Sequence, residues 1–344
     1  MLYSPLSLTA QTAYAQLHEA LQLREIARGV ADAPGSFNRK QISGRDYWYY
    51  QFRDLDGKLR QAYLGPDSDR LAALIAARES ATRDTDVHIK ALAQSASTLG
   101  AQPVSAPHLI IIQRLADAGF FRAGGVLVGT HAFLSAGNLL GVRWGDASRT
   151  LDLDFAHAGR HLQVALASEA TLELGDVIDS LGMGFVPTTS LSGVRGGRWV
   201  HPKEPGFVLD FLTPMGRGQQ DLVHVKAFNA EFQALRFMEF SLEQIESAAV
   251  FTRTQACLVN VPHPARMAVH KLIIAGLRRA AERTKANKDV MQAAMLYRWY
   301  QNHAPDEWAL AESDARARGP TWRQQLEVGL ARMQHELARL DSHS

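Results

Sequence analysis

Apolar residues recur at helical spacing from Leu6 to Gly29 (LSLTAQTAYAQLHEALQLREIARG), and the glycine ends the run. The next stretch, GSFNRKQISGRDYWYYQFRDLDGKLRQAYLGP, alternates polar and aromatic positions. Asp56-Gly57 sits between two such runs, which predicts a β-hairpin. Helical spacing returns over Asp67–Ala93, and STLGAQPVSAPH then marks a domain boundary. Beyond it, APHLIIIQRLADAGFF predicts a helix, GGVLVGT a short strand, His131–Leu140 a second helix and TLDLDFA an alternating strand. A helix (ASEATLELGDVIDSLG), a hairpin (SGVRGGRWVH), a strand (FVLDFLTP) and a strand near LVNVP complete a mixed α/β region. From Pro264 the chain reads as helix with a break near Lys285–Lys288, and a last amphipathic helix covers about Thr321–Leu340. The pattern is that of an α+β protein in three parts: an N-terminal helical and β-hairpin domain (1–104), an α/β domain with a mixed sheet (105–262) and a C-terminal helical domain (263–344).

Composition narrows the class. At 344 residues, with 46% hydrophobic and 21% charged residues, the chain has the make-up of a globular protein with at least one buried core. A single cysteine, Cys257, excludes an internal disulfide and a cysteine-rich metal site, as in a reducing cytoplasm. No run reaches the roughly 18 apolar residues that span a bilayer, and MLYSPLSLTAQTAYAQ lacks the pattern of an export signal. A cytoplasmic protein with no membrane partner is the expectation. The net charge of +2 says little; its distribution says more.

Candidate chemistry starts in TLDLDFA. Side chains alternate along a strand, so Asp152 and Asp154 project to one side while Leu151, Leu153 and Phe155 face a core. FVLDFLTP carries one further isolated carboxylate, Asp210. Three carboxylates on adjacent strands offer the hard oxygens that a pair of Mg²⁺ (or Mn²⁺) ions needs for phosphoryl or nucleotidyl transfer. Taken singly, a D-x-D is an exposed edge pair and Asp210 a loop cap. Upstream, VLVGTHAF places Gly129 at the end of a strand and Thr130 at the start of a helix. There the backbone can approach a phosphate, and free N–H groups face it.

The order VGT…DLD…LDF resembles the polymerase-beta-like nucleotidyltransferase superfamily. GTHAF, LLGV, TLDLDFA, FVLDFLTP and VPHPARMAVHKL…KANKDVMQA are similar to a little-characterised bacterial group with that fold, related to the nucleotidyltransferase toxins of abortive-infection systems. The likeness covers about residues 107–300. It implies that Gly129 and Thr130 contact the triphosphate, and that Asp152 and Asp154 bind both metals. It implies also that Asp210 binds the catalytic metal and takes the acceptor hydroxyl's proton. Between Gly129 and Asp152 the segment NLLGVRWGDASR makes the gap longer than the commonest pattern.

From Pro262 to Tyr300 eight Lys and Arg stand against Glu282 and Asp289. Lys271 lies in the apolar helix AVHKLIIAG, where a charge needs a partner, a polar pocket or a path to the surface. The resemblance makes it the triphosphate lysine and sets Lys288 with Asp289 as a polar pair beside the nucleotide; a plain helix start is the other reading of that pair. His131 and His270 flank the region without metal-ligand spacing and read as satisfied or surface histidines. Arg195 and Arg198 are either phosphate or nucleic-acid contacts or ordinary hairpin arginines. In the N-terminal β segment, Arg39, Lys40, Arg45, Arg53, Lys58 and Arg60 interleave with Tyr47, Trp48, Tyr49, Tyr50 and Phe52. That mixture suits either a nucleic-acid stacking platform or a structural or docking sheet.

The leading expectation is therefore an NTP-dependent, two-metal nucleotidyltransferase of ATP-binding type. It would move an NMP to a hydroxyl acceptor such as a tRNA end or a protein, in a toxin- or defence-like setting. The alternative is a non-catalytic nucleic-acid or protein-binding module on the same fold; a phosphohydrolase would want histidines among the ligands. Oligomeric state is not readable from the chain.

Overall fold

The computed structural model describes residues 2–27, 35–42, 44–53, 59–145, 150–158, 172–189, 195–216, 218, 220–278 and 282–342. The chain opens with β1 (Tyr3–Pro5) and α1 (Leu8–Ala27), then β2 (Gly35–Ile42), β3 (Arg45–Arg53) and β4 (Leu59–Pro66). Three antiparallel strands stand where a single hairpin is expected; the Asp56-Gly57 turn lies outside the described residues. α2 (Asp69–Leu99) starts at Ser68, whose side chain accepts from the Leu71 N–H, and ends at left-handed Gly100. α1 and α2 pack on the hairpin β13 (Ile245–Phe251)–β14 (Ala256–Pro262) through a core that includes Leu17, Leu21, Ile89 and Ala249.

The main sheet follows. β5 (Gly125–Val128) leads into α4 (Gly129–Leu139), preceded by α3 (Ala106–Asp117). β6 (Val142–Trp144) pairs with β1, and β7 (Leu153–His157), α5 (Leu174–Asp179), β8 (Val186–Thr189), β9 (Arg195–His201) and β10 (Glu204–Pro214) come next. β11 (Leu222–Val225), β12 (Ala230–Leu235) and α6 (Met238–Leu242) complete this part. The strands run in the order β11-β12-β10-β7-β5, with β9 joined to both β10 and β8. β7 and β10 are parallel and β5 runs antiparallel to β7, a mixed sheet as expected. The alternation of TLDLDFA is realised from its third residue only. Leu153 and Phe155 are fully buried, but Leu151 precedes the strand and is 61% exposed, which corrects its expected place in the core.

Four helices cover the C-terminal part: α7 (Pro264–Leu277), α8 (Arg283–His303), α9 (Pro305–Ala317) and α10 (Pro320–Asp341). The break in the helical run falls between Leu277 and Arg283, so Lys285–Lys288 lie within α8 and not at an interruption. α7 is apolar on nearly all sides because α6, α8, α9 and α10 surround it. Cβ atoms at Gly276 and Gly329 would lie 2.3 Å from the Gln325 carbonyl oxygen and 2.2 Å from that of Leu272, so both glycines serve the close approach of α10. Among the described residues no helix is long and apolar enough to cross a membrane.

Candidate active site

One row across the sheet organises the site. Val128 on β5 faces Asp154 on β7, Asp154 faces Asp210 on β10, and Asp210 faces Arg198 on β9. Matching register on parallel strands puts the two carboxylates side by side, on the face opposite the core residues Leu153, Phe155, Leu209 and Phe211. Asp152 stands just ahead of β7, its N–H donating to Thr150 Oγ1 at 3.3 Å.

Gly129 closes the row from the other end. Its φ is +65°, and a Cβ there would come within 2.0 Å of Asp154 Oδ2. Only glycine fits against this carboxylate, at the helix end where the positive pole of α4 and its free N–H groups lie. Thr130 is buried in the first turn of α4.

The electrostatics follow from this crowding. Burial first, then the charges of Asp210 and Asp152, push the Asp154 carboxyl up to about 6, while Lys271 and Lys288 oppose the rise. Burial and the neighbouring Lys271 pull Lys288 down, against Asp152, Asp154 and Asp289. The structure thus brings Gly129, Asp152, Asp154, Asp210, Lys271 and Lys288 into one neighbourhood. Asp289, expected beside the nucleotide with Lys288, receives Lys271 Nζ at 3.1 Å and Arg278 Nη2 at 3.0 Å. Lys271 does not reach the surface; it is 8% exposed and paired.

Arg198 is the residue whose position a local reading misses. It donates from Nε to Asp210 Oδ1 at 2.6 Å and from Nη2 to Oδ2 at 2.9 Å, and this bond raises its own pKa. It is no free hairpin arginine, because Arg195–His201 forms a strand paired with β10 on one side and β8 on the other. Arg195 begins the same strand.

His131 is satisfied on one side only. Its Nε2 lies 2.9 Å from His108 Nδ1, and its Nδ1 is buried with no hydrogen-bond partner. Burial, His108 and Lys288 lower His131 to about 3, and burial lowers His108 against the pull of Asp152. Both rings line a cavity of about 810 Å³ together with Asp152, Lys288, Ser105 and Leu134. His270 is held neutral by burial, at about 4.

A divalent cation can be tested against this donor set. The chemistry fits: three hard-oxygen donors, one of which holds its proton to about 6 because it is buried and the other two are near. The side chains as placed do not converge, since Arg198 occupies both Asp210 oxygens and no three His, Cys, Asp or Glu among the described residues form a metal-holding group.

A family model described as nucleotidyltransferase matches residues 107–317, which spans β5, α4, β7 and β10, and the chain belongs to that nucleotidyltransferase family. Among solved structures the chain is similar to an antigenic nucleotidyltransferase-like protein from Paracoccidioides brasiliensis. The identity is 13% and the TM-score 0.32, over 66% of this chain and 95% of that one. A comparison with curated proteins gave no match.

Proposed function

We propose that the chain is a metal-dependent nucleotidyltransferase with a polymerase-beta-like site. It moves an NMP from an NTP to a hydroxyl acceptor, with RNA such as a tRNA end the first candidate and a protein side chain the second. The observation that carries this reading is the row Gly129–Asp154–Asp210, with Asp152 at its mouth and Lys271 and Lys288 within electrostatic reach. Like charges crowded in this way cost stability unless a cation is shared among them.

In this reading Asp152, Asp154 and Asp210 hold Mg²⁺ or Mn²⁺, which when bound supplies charge neutralisation for the transferring phosphoryl group. The acceptor oxygen forms a bond to the α-phosphorus, the bond to pyrophosphate breaks, and Asp210 takes the hydroxyl proton. Gly129 and Thr130 offer backbone N–H groups to the triphosphate at the start of α4. Lys288 adds positive charge beside Asp152, and Lys271 does so from α7, where Asp289 orients it. A toxin- or defence-like role is the setting we favour for such a transfer.

The Arg198–Asp210 bond favours a second reading, a non-catalytic binding module in which the guanidinium has replaced the cation. Incubation of purified protein with Mg²⁺, total RNA, cell extract and each α-labelled NTP separates the two. Label transferred to a macromolecule by the wild type and not by Asp152→Ala or Asp210→Ala supports the enzyme. Complete inertness, with no metal-dependent NTP binding, leaves the binding module.

A further inference from the structure

The β2–β3–β4 sheet contributes nothing to the candidate active site, yet its two faces differ in a way the strands' composition does not show. Cross-strand register places Asn38, Lys40, Tyr47, Tyr49, Gln51, Gln61 and Tyr63 on one face. The other carries Phe37, Arg39, Asp46, Trp48, Tyr50 and Phe52. On that second face Arg39 pairs with Asp46 at 2.9 Å and with Asp67, and Trp48 Nε1 donates to Asp67 at 2.7 Å. Phe37 and Tyr50 pack there at a tilt, with ring centres 5.0 Å apart.

The first face has no carboxylate among the described residues. Tyr63 lies 5.5 Å from Tyr49 and 6.1 Å from Tyr47, centre to centre, and Lys40 Nζ sits 5.2 Å over the Tyr49 ring. Arg45, opposite Ile42, extends the cationic edge. Apart from Gly65, no residue of β2, β3 or β4 whose exposure is described is buried, and Tyr63 is 57% exposed. A three-stranded sheet ordinarily buries one face, and an uncovered aromatic face marks an interaction surface.

We propose that the tyrosine face of this sheet is a docking platform for single-stranded RNA. The occupant follows from chemistry: three phenol rings offer stacking surfaces to unpaired bases, and Lys40 and Arg45 answer phosphate charge with no carboxylate to repel it. A row of amides lies beside the rings. Gln51 Oε1 accepts from Asn38 at 3.0 Å and from Gln61 at 3.4 Å, and Lys40 donates to Gln61 at 2.5 Å. With the phenol hydroxyls, these groups can hydrogen-bond ribose 2′-hydroxyls, which DNA lacks. The proposal does not depend on the nucleotidyltransferase reading.

Fluorescence anisotropy with a labelled, mixed-sequence single-stranded RNA of about 16 nucleotides tests it, using the full chain without NTP or metal. Binding on the order of micromolar at low salt is expected. Tyr49→Ala and Tyr63→Ala should each weaken it roughly 5- to 150-fold. Lys40→Glu and Arg45→Glu leave the rings in place, so they test the face even where a tyrosine variant misfolds by circular dichroism. Each should weaken binding and lower the slope of log K against log salt by about 0.7 or more. Absence of binding overturns the proposal, as does binding that the charge reversals leave unchanged. Equal or tighter binding of single-stranded DNA or of duplex overturns it too, and so does concentration-dependent self-association through this face that Tyr63→Ala abolishes.

Discussion

Arg198 holds both oxygens of Asp210, at 2.6 and 2.9 Å, from directly across the β9–β10 ladder. A guanidinium in this position supplies the positive charge that the crowded carboxylates need. Replacing it with alanine should destabilise the fold by roughly 1–3 kcal/mol, because Asp210 loses a charge-assisted pair in a buried setting. If a cation shares this site, millimolar Mg²⁺ should recover more stability in Arg198→Ala than in the wild type. Urea unfolding with and without Mg²⁺ measures both; an equal Mg²⁺ response in the two proteins would remove the competition between arginine and cation.

Asp154 bears the strain of the row. The rise of its pKa from 3.8 to about 6 corresponds to roughly 3 kcal/mol held against the charged form. A carboxyl raised in the folded state contributes stability below pH 3.8 and loses it as pH climbs through 6. Asp154→Asn should therefore be more stable than wild type at about pH 8 without metal, by up to that amount, while losing NTP transfer. A variant less stable than wild type at that pH would show that the carboxylates are not in conflict.

Gly129→Ala tests the approach of the helix start to that carboxylate. Its left-handed φ costs an alanine roughly 1–2 kcal/mol, and the added methyl must push Asp154 aside. We expect lower thermal stability and a fall in NTP transfer of about 100-fold or more, since displacement by an ångström is enough. Wild-type activity in Gly129→Ala would detach this turn from the chemistry.

Lys271, Arg278 and Asp289 form a buried charge cluster with one acceptor and two donors. Lys271→Met alone should cost roughly 1–3 kcal/mol, less than for an isolated pair because Arg278 remains. A double-mutant cycle with Asp289→Asn should show coupling of at least about 0.5 kcal/mol in urea denaturation. NTP affinity measured on the same variants asks whether Lys271 also serves the triphosphate; a larger loss in Lys271→Met than in Asp289→Asn, which only disturbs the lysine's orientation, is the expected split.

Both members of the His131–His108 pair are held neutral. His131, lowered to about 3, contributes stability above the unfolded value of 6.5 and loses it as pH falls through 6.5, where the unfolded chain binds the proton first. Between about pH 7.5 and pH 5 the wild type should therefore lose up to roughly 2 kcal/mol more than His131→Asn. Parallel pH profiles would show that this ring is not buried in solution.

Much of the site was legible from local pattern. The alternation in TLDLDFA and FVLDFLTP marks strands with polar positions set against apolar ones, and β7 and β10 follow it from Leu153 and across Glu204–Pro214. Gly129 at a strand end reads as a backbone turn for the same reason. The β11–β12 and β13 strands escaped such a reading: LVHV and IESAAVF have no clean alternation, and that of AEFQAL is short; pairing with the neighbouring strand makes them strands. α9 gave no separate signal, and the helix break was expected near Lys285–Lys288, some residues after α7 ends at Leu277.

By itself, then, the chain determined what local chemistry can determine: which residues are acidic on a strand, where glycine permits a turn, and that a lysine on an apolar helix needs a partner. Tertiary structure decided the partners. It set Asp154 beside Asp210 by parallel register and gave Asp210 to Arg198 through a third strand. It joined His131 to His108 across two helices and brought Tyr63 of β4 onto the face of Tyr47 and Tyr49. Each of these depends on strand register or helix docking between residues far apart in sequence, which no local periodicity encodes.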